Sequence, residues 1–317
     1  MSTSSKIKFS AELVTFFHPG YWSATSYDDI IEAARSRPVQ FWDKVLDGVA
    51  ATGVTGVELA FSPLNSLDAV AAYGSIAGLT RALDSRGLSL SSAFFAELEH
   101  DKDILSPTVQ ANLLDRAARH AEIIAAGGGE ALVVGLPMRQ TPGSEPPAFV
   151  DLALAQKLAD FINRLGATTA RHGVKVALHT EAHSMFAMSR DIDLFLLLTD
   201  PAYVGFCPDP AHMVLMGTDP IEMVRRHRQR LVVAHWKDAT GPMPADTPID
   251  EQIHDRHRPY FCRLGAGRVD WPAWARLLRD THFNGWAILE LDAAADPVGD
   301  IIAGREFVET ALLPIFA

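Results

Sequence analysis

The feature that most limits the fold is an alternation that runs unbroken along the chain. Short apolar runs of β type alternate eight times with longer segments whose apolar residues recur at helical spacing. The β-type runs are 7–17, 55–61, 88–95, 131–136, 174–179, 203–207, 231–236 and 286–291. Gly53 and Gly87 stand where helices should stop, and Pro107 suits a first helical turn. Parallel strands need helical crossovers, which are right-handed almost without exception. Eight such units close into a single (β/α)8 TIM barrel, an α/β fold. An open doubly wound sheet would need a Gly-rich phosphate turn after the first strand, and this chain has FFHPGYW there. The expectation is one domain over residues 1–317, with an irregular, lid-like insertion at about 239–269 and a Pro/Gly-rich loop at 137–147.

Composition sets outer bounds. Hydrophobic residues make up 48% of the chain, enough for the core of a large barrel. A formal net charge of −11 opposes binding to a phosphate backbone, so no nucleic-acid partner is expected. Cys207 and Cys262 are too few for a disulfide framework and suit a reducing cytoplasm. No apolar run approaches a membrane span, and the Ser/Thr-rich start reads as a short frayed end rather than a signal segment.

In such barrels the chemistry gathers at the C-terminal ends of the strands. Residues at the ends of the first four runs are His18, Asn65, Glu97, Glu99, His100 and Arg139. The last four are richer: His179, Glu181 and His183, then Asp209 and His212, then His235, Lys237 and Asp238, then Glu290 and Asp292. A single carboxylate at a strand end more often caps the next helix. Capping does not explain His235 or Glu290, which lie inside apolar runs. Glu181, Asp209, His235 and Glu290 are therefore the expected ligands of one divalent metal ion. Their hard-to-borderline donors suit Mn2+ first, with Mg2+, Co2+ and Zn2+ as alternatives.

His212 lies three residues past Asp209, on the same side of a turn, as a base or a substrate contact. Strand alternation puts Lys237 on the face of His235, where it can stabilise an enolate oxygen or move a proton; a solvated rim lysine, or an ion pair with Asp238, is the plainer reading. Glu181 and Glu290 are the carboxylates placed to share in proton transfer. His183, Glu97 and Arg263 are candidate substrate contacts, Arg263 by a fork-wise grip on an oxygen or else as a structural ion pair. His254 and His257 read as parts of a solvated lid, with a second metal as the alternative.

The pieces GVEL at 56–59, DPAH at 209–212, HWKD at 235–238, LGAGRVDW ending at Trp271 and GWAILELD at 285–292 resemble the xylose-isomerase-like sugar phosphate isomerase/epimerase superfamily. The spacing is most similar to the inosose dehydratase-like branch and to the large subunits of C-glycoside deglycosidases. The resemblance covers nearly the whole chain and puts the family's ligands on the same four residues. It implies an enediolate formed from a keto-sugar, 3-keto-glycoside or keto-cyclitol, by a lyase or an isomerase/epimerase. A non-catalytic sugar-binding subunit is the remaining alternative, and a homo- or hetero-oligomer is implied. Three departures stand out. Ketose 3-epimerases carry a Glu where this chain has Ala187 and an Arg where it has Gly241, and inosose dehydratases carry a His where it has Glu181.

Overall fold

The computed structural model describes residues 7–100, 103–139 and 150–316. The expected frayed start and most of the loop at 137–147 lie outside the described residues, as does the side chain of His100. Ten strands follow in chain order: β1 (Lys8–Glu12), β2 (Gly56–Leu59), β3 (Ser89–Phe94), β4 (Ala131–Val134), β5 (Lys175–His179), β6 (Val204–Cys207), β7 (Ala234–Trp236), β8 (Asp238–Ala239), β9 (Phe261–Cys262) and β10 (Trp286–Leu289). Eight of them form one sheet in the order β6-β5-β4-β3-β2-β1-β10-β7. Every pairing in it is parallel. A parallel bridge between Phe206 and Leu231 brings the approach to β7 back against β6 and nearly closes the ring. With helices between the strands, this is the expected (β/α)8 barrel.

Several elements are shorter than the sequence suggests, for local reasons. The first strand stops at Glu12, whose carboxylate accepts the Val14 N–H at 2.6 Å and caps a 3-10 turn over Leu13–Phe16. Only Ala234–Trp236 of the run 231–236 is strand. The helical segment between β2 and β3 is two helices, Ser66–Tyr73 and Ile76–Asp84; Gly74 turns left-handed at φ 76°, and the Ser75 side chain then caps the second helix through the Gly78 N–H.

Alternation along the strands sorts the side chains. Ala131, Val133, Ala177, Cys207, Val233, Trp286 and Ile288 pack together inside the barrel. Their neighbours Leu132, Val176, Leu178, Phe206, Ala234 and Leu289 belong to the larger core shared with the helices. Each Val, Leu, Ile or Phe side chain among them, once fully buried, contributes about 1.5–3 kcal/mol. Two residues beyond Ala177, Cys207, Val233 and Ile288 come His179, Asp209, His235 and Glu290 at the C-terminal rim, the first three buried and Glu290 half-buried.

Segment 239–269 is ordered. Strands β8 and β9 pair antiparallel across it, and it carries a short helix at Ile253–His257. Asp238 anchors its far end: the carboxylate accepts the N–H groups of Gly265, Gly267 and Val269 at 3.0–3.2 Å and the Trp271 indole N–H at 2.8 Å. Only glycine fits at 267, because a Cβ there would lie 2.1 Å from that carboxylate. The HWKD and LGAGRVDW motifs are thus two halves of one structural clamp. Among the described residues, no helix is long and apolar enough to cross a membrane.

Candidate metal centre

The rim opens into a pocket of about 420 Å³. On its floor are His179, His235 and Glu290, with Asp209 behind them. Asp209 caps the helix Pro210–Leu215: its Oδ1 accepts the Ala211 N–H at 2.8 Å and the His212 N–H at 3.2 Å. Capping occupies only one oxygen. Oδ2 is fully buried without a hydrogen-bond partner, 3.6 Å from His179 Nε2 and 3.9 Å from His235 Nδ1. His235 Nδ1 is in turn 2.6 Å from Glu290 Oε2, and neither atom has a hydrogen-bond partner. Four strands therefore aim donor atoms at one region and leave them unsatisfied. Buried polar groups are seldom orphaned. A tetrahedral ion with bonds near 2.1 Å needs donors about 3.4 Å apart, and the separations here, 2.6, 3.6 and 3.9 Å, lie on both sides of that spacing.

The surroundings add negative charge. Glu58, in the middle of β2, lies 2.7 Å from His235 Nε2 and accepts a hydrogen bond from Ser92. This is the carboxylate–imidazole arrangement that orients a metal-bound histidine. Burial alone would favour a neutral His235, but Glu58, Cys207 and Glu290 outweigh it and raise its pKa well above the ordinary histidine range. Burial, Glu290 and Glu58 likewise push the Glu12 carboxyl well up. Excess anionic charge held out of water is what a cation would neutralise. Two imidazoles and two carboxylates form a borderline set that suits Mn2+, Co2+ or Zn2+.

Of the four expected ligands, Asp209, His235 and Glu290 come together. From β5 the group that joins them is His179, and Glu181 sits one step further out. Glu181 Oε1 lies 3.3 Å from His212 Nδ1, 3.6 Å from His257 Nδ1 and 3.8 Å from His254 Nδ1; Oε2 is 3.7 Å from His179 Nδ1. Lys237 is buried and does not pair with Asp238. It donates a hydrogen bond to Glu290 at 2.7 Å, forms an ion pair with Asp292 at 2.5 Å, and lies 3.1 Å from His212 Nε2. Burial disfavours its charge, yet Asp292 and Glu290 keep Lys237 well above the usual lysine range. Burial and the Lys237 charge hold His212 neutral, far below the usual histidine range.

The expected substrate contacts fare differently. His183 takes φ 64° and places Nδ1 2.9 Å from His257 Nε2, stacked on that ring. Burial, with His257 beside it, lowers its pKa to about 4. Glu97 turns away to Arg116 and His120, at 2.5 and 3.2 Å, and does not line the pocket; Glu99 does. Arg263 pairs with Asp300 at 2.5 Å, largely exposed and outside the pocket wall. The insertion supplies His254, Asp255 and Arg258 to the wall, and Phe17, Tyr27, Phe61 and Phe94 make its apolar side.

The fold and the site define a class: a parallel (β/α)8 barrel with a histidine–carboxylate cluster at its C-terminal rim. The xylose isomerase-like TIM barrel model matches residues 46–311, and the chain belongs to that family. Inosose dehydratase of Clostridium perfringens is 24% identical over 242 residues, which cover 73% of this chain and 80% of that protein. Rhizopine catabolism protein MocC of Rhizobium meliloti is 27% identical over 285 residues, covering 85% and 79%. Among solved structures, a xylose isomerase-like TIM barrel protein from Mycobacterium smegmatis in complex with magnesium superposes with a TM-score of 0.71 at 18% identity, covering 100% of both chains. The 3-keto-D-glucoside 4-epimerase YcjR from E. coli superposes with a TM-score of 0.66 at 18% identity, covering 96% and 100%.

Proposed function

We propose that this protein is a divalent-metal-dependent lyase that removes the proton α to the ketone of a keto-cyclitol or keto-sugar and expels a β-oxygen substituent. The observation that carries this reading is the convergence of unpartnered donors from His179, Asp209, His235 and Glu290 on the pocket floor. It is supported by the relatives' activities, dehydration of an inosose and epimerisation of a 3-keto-glucoside.

His179, Asp209, His235 and Glu290 would hold the ion, with Glu58 fixing the His235 ring. When bound, it supplies Lewis-acid polarisation of a ketone and its neighbouring hydroxyl. Glu181 is the base: burial would raise its pKa, but His257, His254 and His179 keep it lowered and ionised, and Oε2 faces the centre. Lys237, charged and on the pocket wall, meets the negative charge that develops on the substrate oxygen. Neutral His212 lies between Glu181 and Lys237, its Nδ1 accepting the Ala182 N–H at 3.1 Å and its Nε2 3.1 Å from the Lys237 Nζ. The aromatic side of the wall packs against the ring and keeps water from the carbanion.

One observation favours a second reading, isomerisation. Glu12 of β1 also lines the pocket, and β1 is four strands round the barrel from β5. A carboxylate across from Glu181 can return the proton to the other face. One experiment separates the readings. Metal-stripped protein is reloaded with Mn2+ and offered inososes, 3-keto-glycosides and ketoses in D2O. Elimination gives an ultraviolet-absorbing enone or a released substituent, whereas isomerisation gives deuterium at the α carbon of an epimer. If loaded protein produces neither with any of these classes, the enediolate reading is wrong.

A further inference from the structure

Glu99 is a pocket carboxylate that the floor does not use. It sits on the short helix Glu97–His100 that follows β3. Glu97, two residues earlier, is held away from the pocket by Arg116 and His120, and residues two apart on a helix do not share a face. Glu99 is thereby turned onto the pocket wall. Gly135, just past β4, makes room for it: a Cβ there would lie 1.8 Å from Glu99 Oε1 and 2.5 Å from its carboxyl carbon. The residue is 9% exposed, and Oε1 is buried without a hydrogen-bond partner.

The other carboxylates that line the pocket each have a donor or a cation beside them. Glu12 has the Val14 N–H, Asp255 has Arg258, Glu290 and Asp292 have Lys237, and Glu181 has its histidines. Among the described residues no cation pairs with Glu99. Burial first, and then the charge of Glu181, push its carboxyl well above the usual carboxylate range. A buried acid without a counter-charge keeps its proton. Glu99 and Glu181 follow β3 and β5, with β4 between them, so an un-ionised and an ionised carboxyl group face one pocket. Two such groups with opposite environments are the arrangement that divides acid from base.

We propose that Glu99 is the general acid of the elimination, the donor of a proton to the departing β-oxygen substituent; this rests on the lyase reading above. Glu181 takes the proton from the α carbon. The electron pair of that C–H bond becomes the C=C bond as the bond from the β carbon to oxygen breaks. The pair released to oxygen takes the Glu99 proton, so the substituent leaves as water or a neutral alcohol. Glu181 ends protonated and Glu99 ionised, and exchange of one proton with solvent at each resets the pair.

The test is how the rate depends on the leaving group. Metal-loaded full-length protein is offered two pairs of substrates. One is an inosose with a β-hydroxyl and its β-fluoro analogue; the other is the methyl and the para-nitrophenyl 3-keto-glucoside. Hydroxide and methoxide need a proton to leave, whereas fluoride and nitrophenolate do not. Glu99→Gln should slow the first member of a pair by about 10²–10⁴-fold and the second little, at unchanged metal content. Gly135→Ala keeps the carboxyl group but evicts it from its niche, and should show the same selective loss at smaller size; it decides the matter if Glu99→Gln does not fold. Equal losses with both leaving groups would make Glu99 a positioning residue, and no loss with either would make it a bystander; each result overturns the proposal. Failure of wild-type protein to eliminate from either pair removes the lyase reading and this inference with it, whereas elimination with unselective losses removes only the role of Glu99.

Discussion

Strands β5, β6, β7 and β10 end in groups whose polar atoms point at one another without hydrogen bonds, whereas most carboxylates near the ends of β1, β2 and β3 have at least one oxygen committed to a partner. On the first side, Asp209 Oδ2, Glu290 Oε2 and both nitrogens of His179 lack hydrogen-bond partners. On the second, Glu12 caps a turn, Glu97 joins Arg116 and His120, and Glu58 Oε2 accepts the Ser92 hydroxyl while its Oε1 faces His235 Nε2 across 2.7 Å. Glu99 is the exception, buried on the pocket wall in a niche beside Gly135, where a Cβ would lie 1.8 Å from its Oε1. One half of the mouth holds the reactive donors and the other holds them still. Preorganisation of this kind needs both halves, because a flexible ligand set would relax into its own hydrogen bonds.

The sharpest way to break this contrast is at Asp209. Asp209→Asn keeps an oxygen for the helix cap and removes the charge from Oδ2, so folding should survive while floor-site metal and activity are lost. Turnover should fall by roughly 10³-fold or more, checked against metal content on the same sample. Asp238 is the control, an aspartate just as buried but with its carboxylate bonded to backbone N–H groups and the Trp271 indole. Asp238→Ala should cost about 3 kcal/mol or more in urea unfolding, because it strands buried donors, yet leave the metal content of the folded fraction unchanged. Reversal of these two phenotypes would erase the distinction between the halves.

That pair also shows how far the sequence could be read. The barrel was legible because eight apolar runs at regular spacing leave few other ways to bury themselves. Three of the four expected ligands meet because each lies two residues past an inward-facing core residue. The same count from Ala177 reaches His179 before Glu181, so alternation, carried through strictly, points to the nearer residue. Glu58 carried a signal as well, a carboxylate in the middle of the apolar run GVEL. Nothing in the periodicity of 239–269 showed where His254 and His257 would go. Their position is set by the β8–β9 ladder and the Asp238 clamp, contacts between residues far apart in the chain. Glu97 and Glu99 are two residues apart on one short helix, and only the packing against Arg116 and His120 decides which of them turns from the pocket.

Glu58 tests the supporting half directly. Glu58→Gln keeps the shape and removes the charge facing His235 Nε2. Floor-site affinity should weaken about 10–100-fold, read by competition with a chelator, with little change in urea unfolding. A matching loss of folding stability would mean that Glu58 acts through general stability and not through the His235 ring.

The smallest expected effect concerns Glu97, and it separates structural support from substrate contact. Burial would raise this carboxyl, but His120 and Arg116 outweigh burial and lower it to about 2. A carboxylate depressed on folding stabilises the protein above its unfolded pKa of about 4.3 and loses that contribution as pH falls toward the folded value. Wild type should therefore exceed Glu97→Gln by about 2 kcal/mol at pH 6, and the gap should close between pH values of about 4 and 2. Urea unfolding of both proteins across that range gives the difference and cancels the other titrating groups. Because Glu97 faces the helix Pro107–Ala126 and not the pocket, the substitution should leave the KM for any keto-substrate unchanged. A raised KM with no pH-dependent gap would move Glu97 from the supporting half of the mouth to the reactive one.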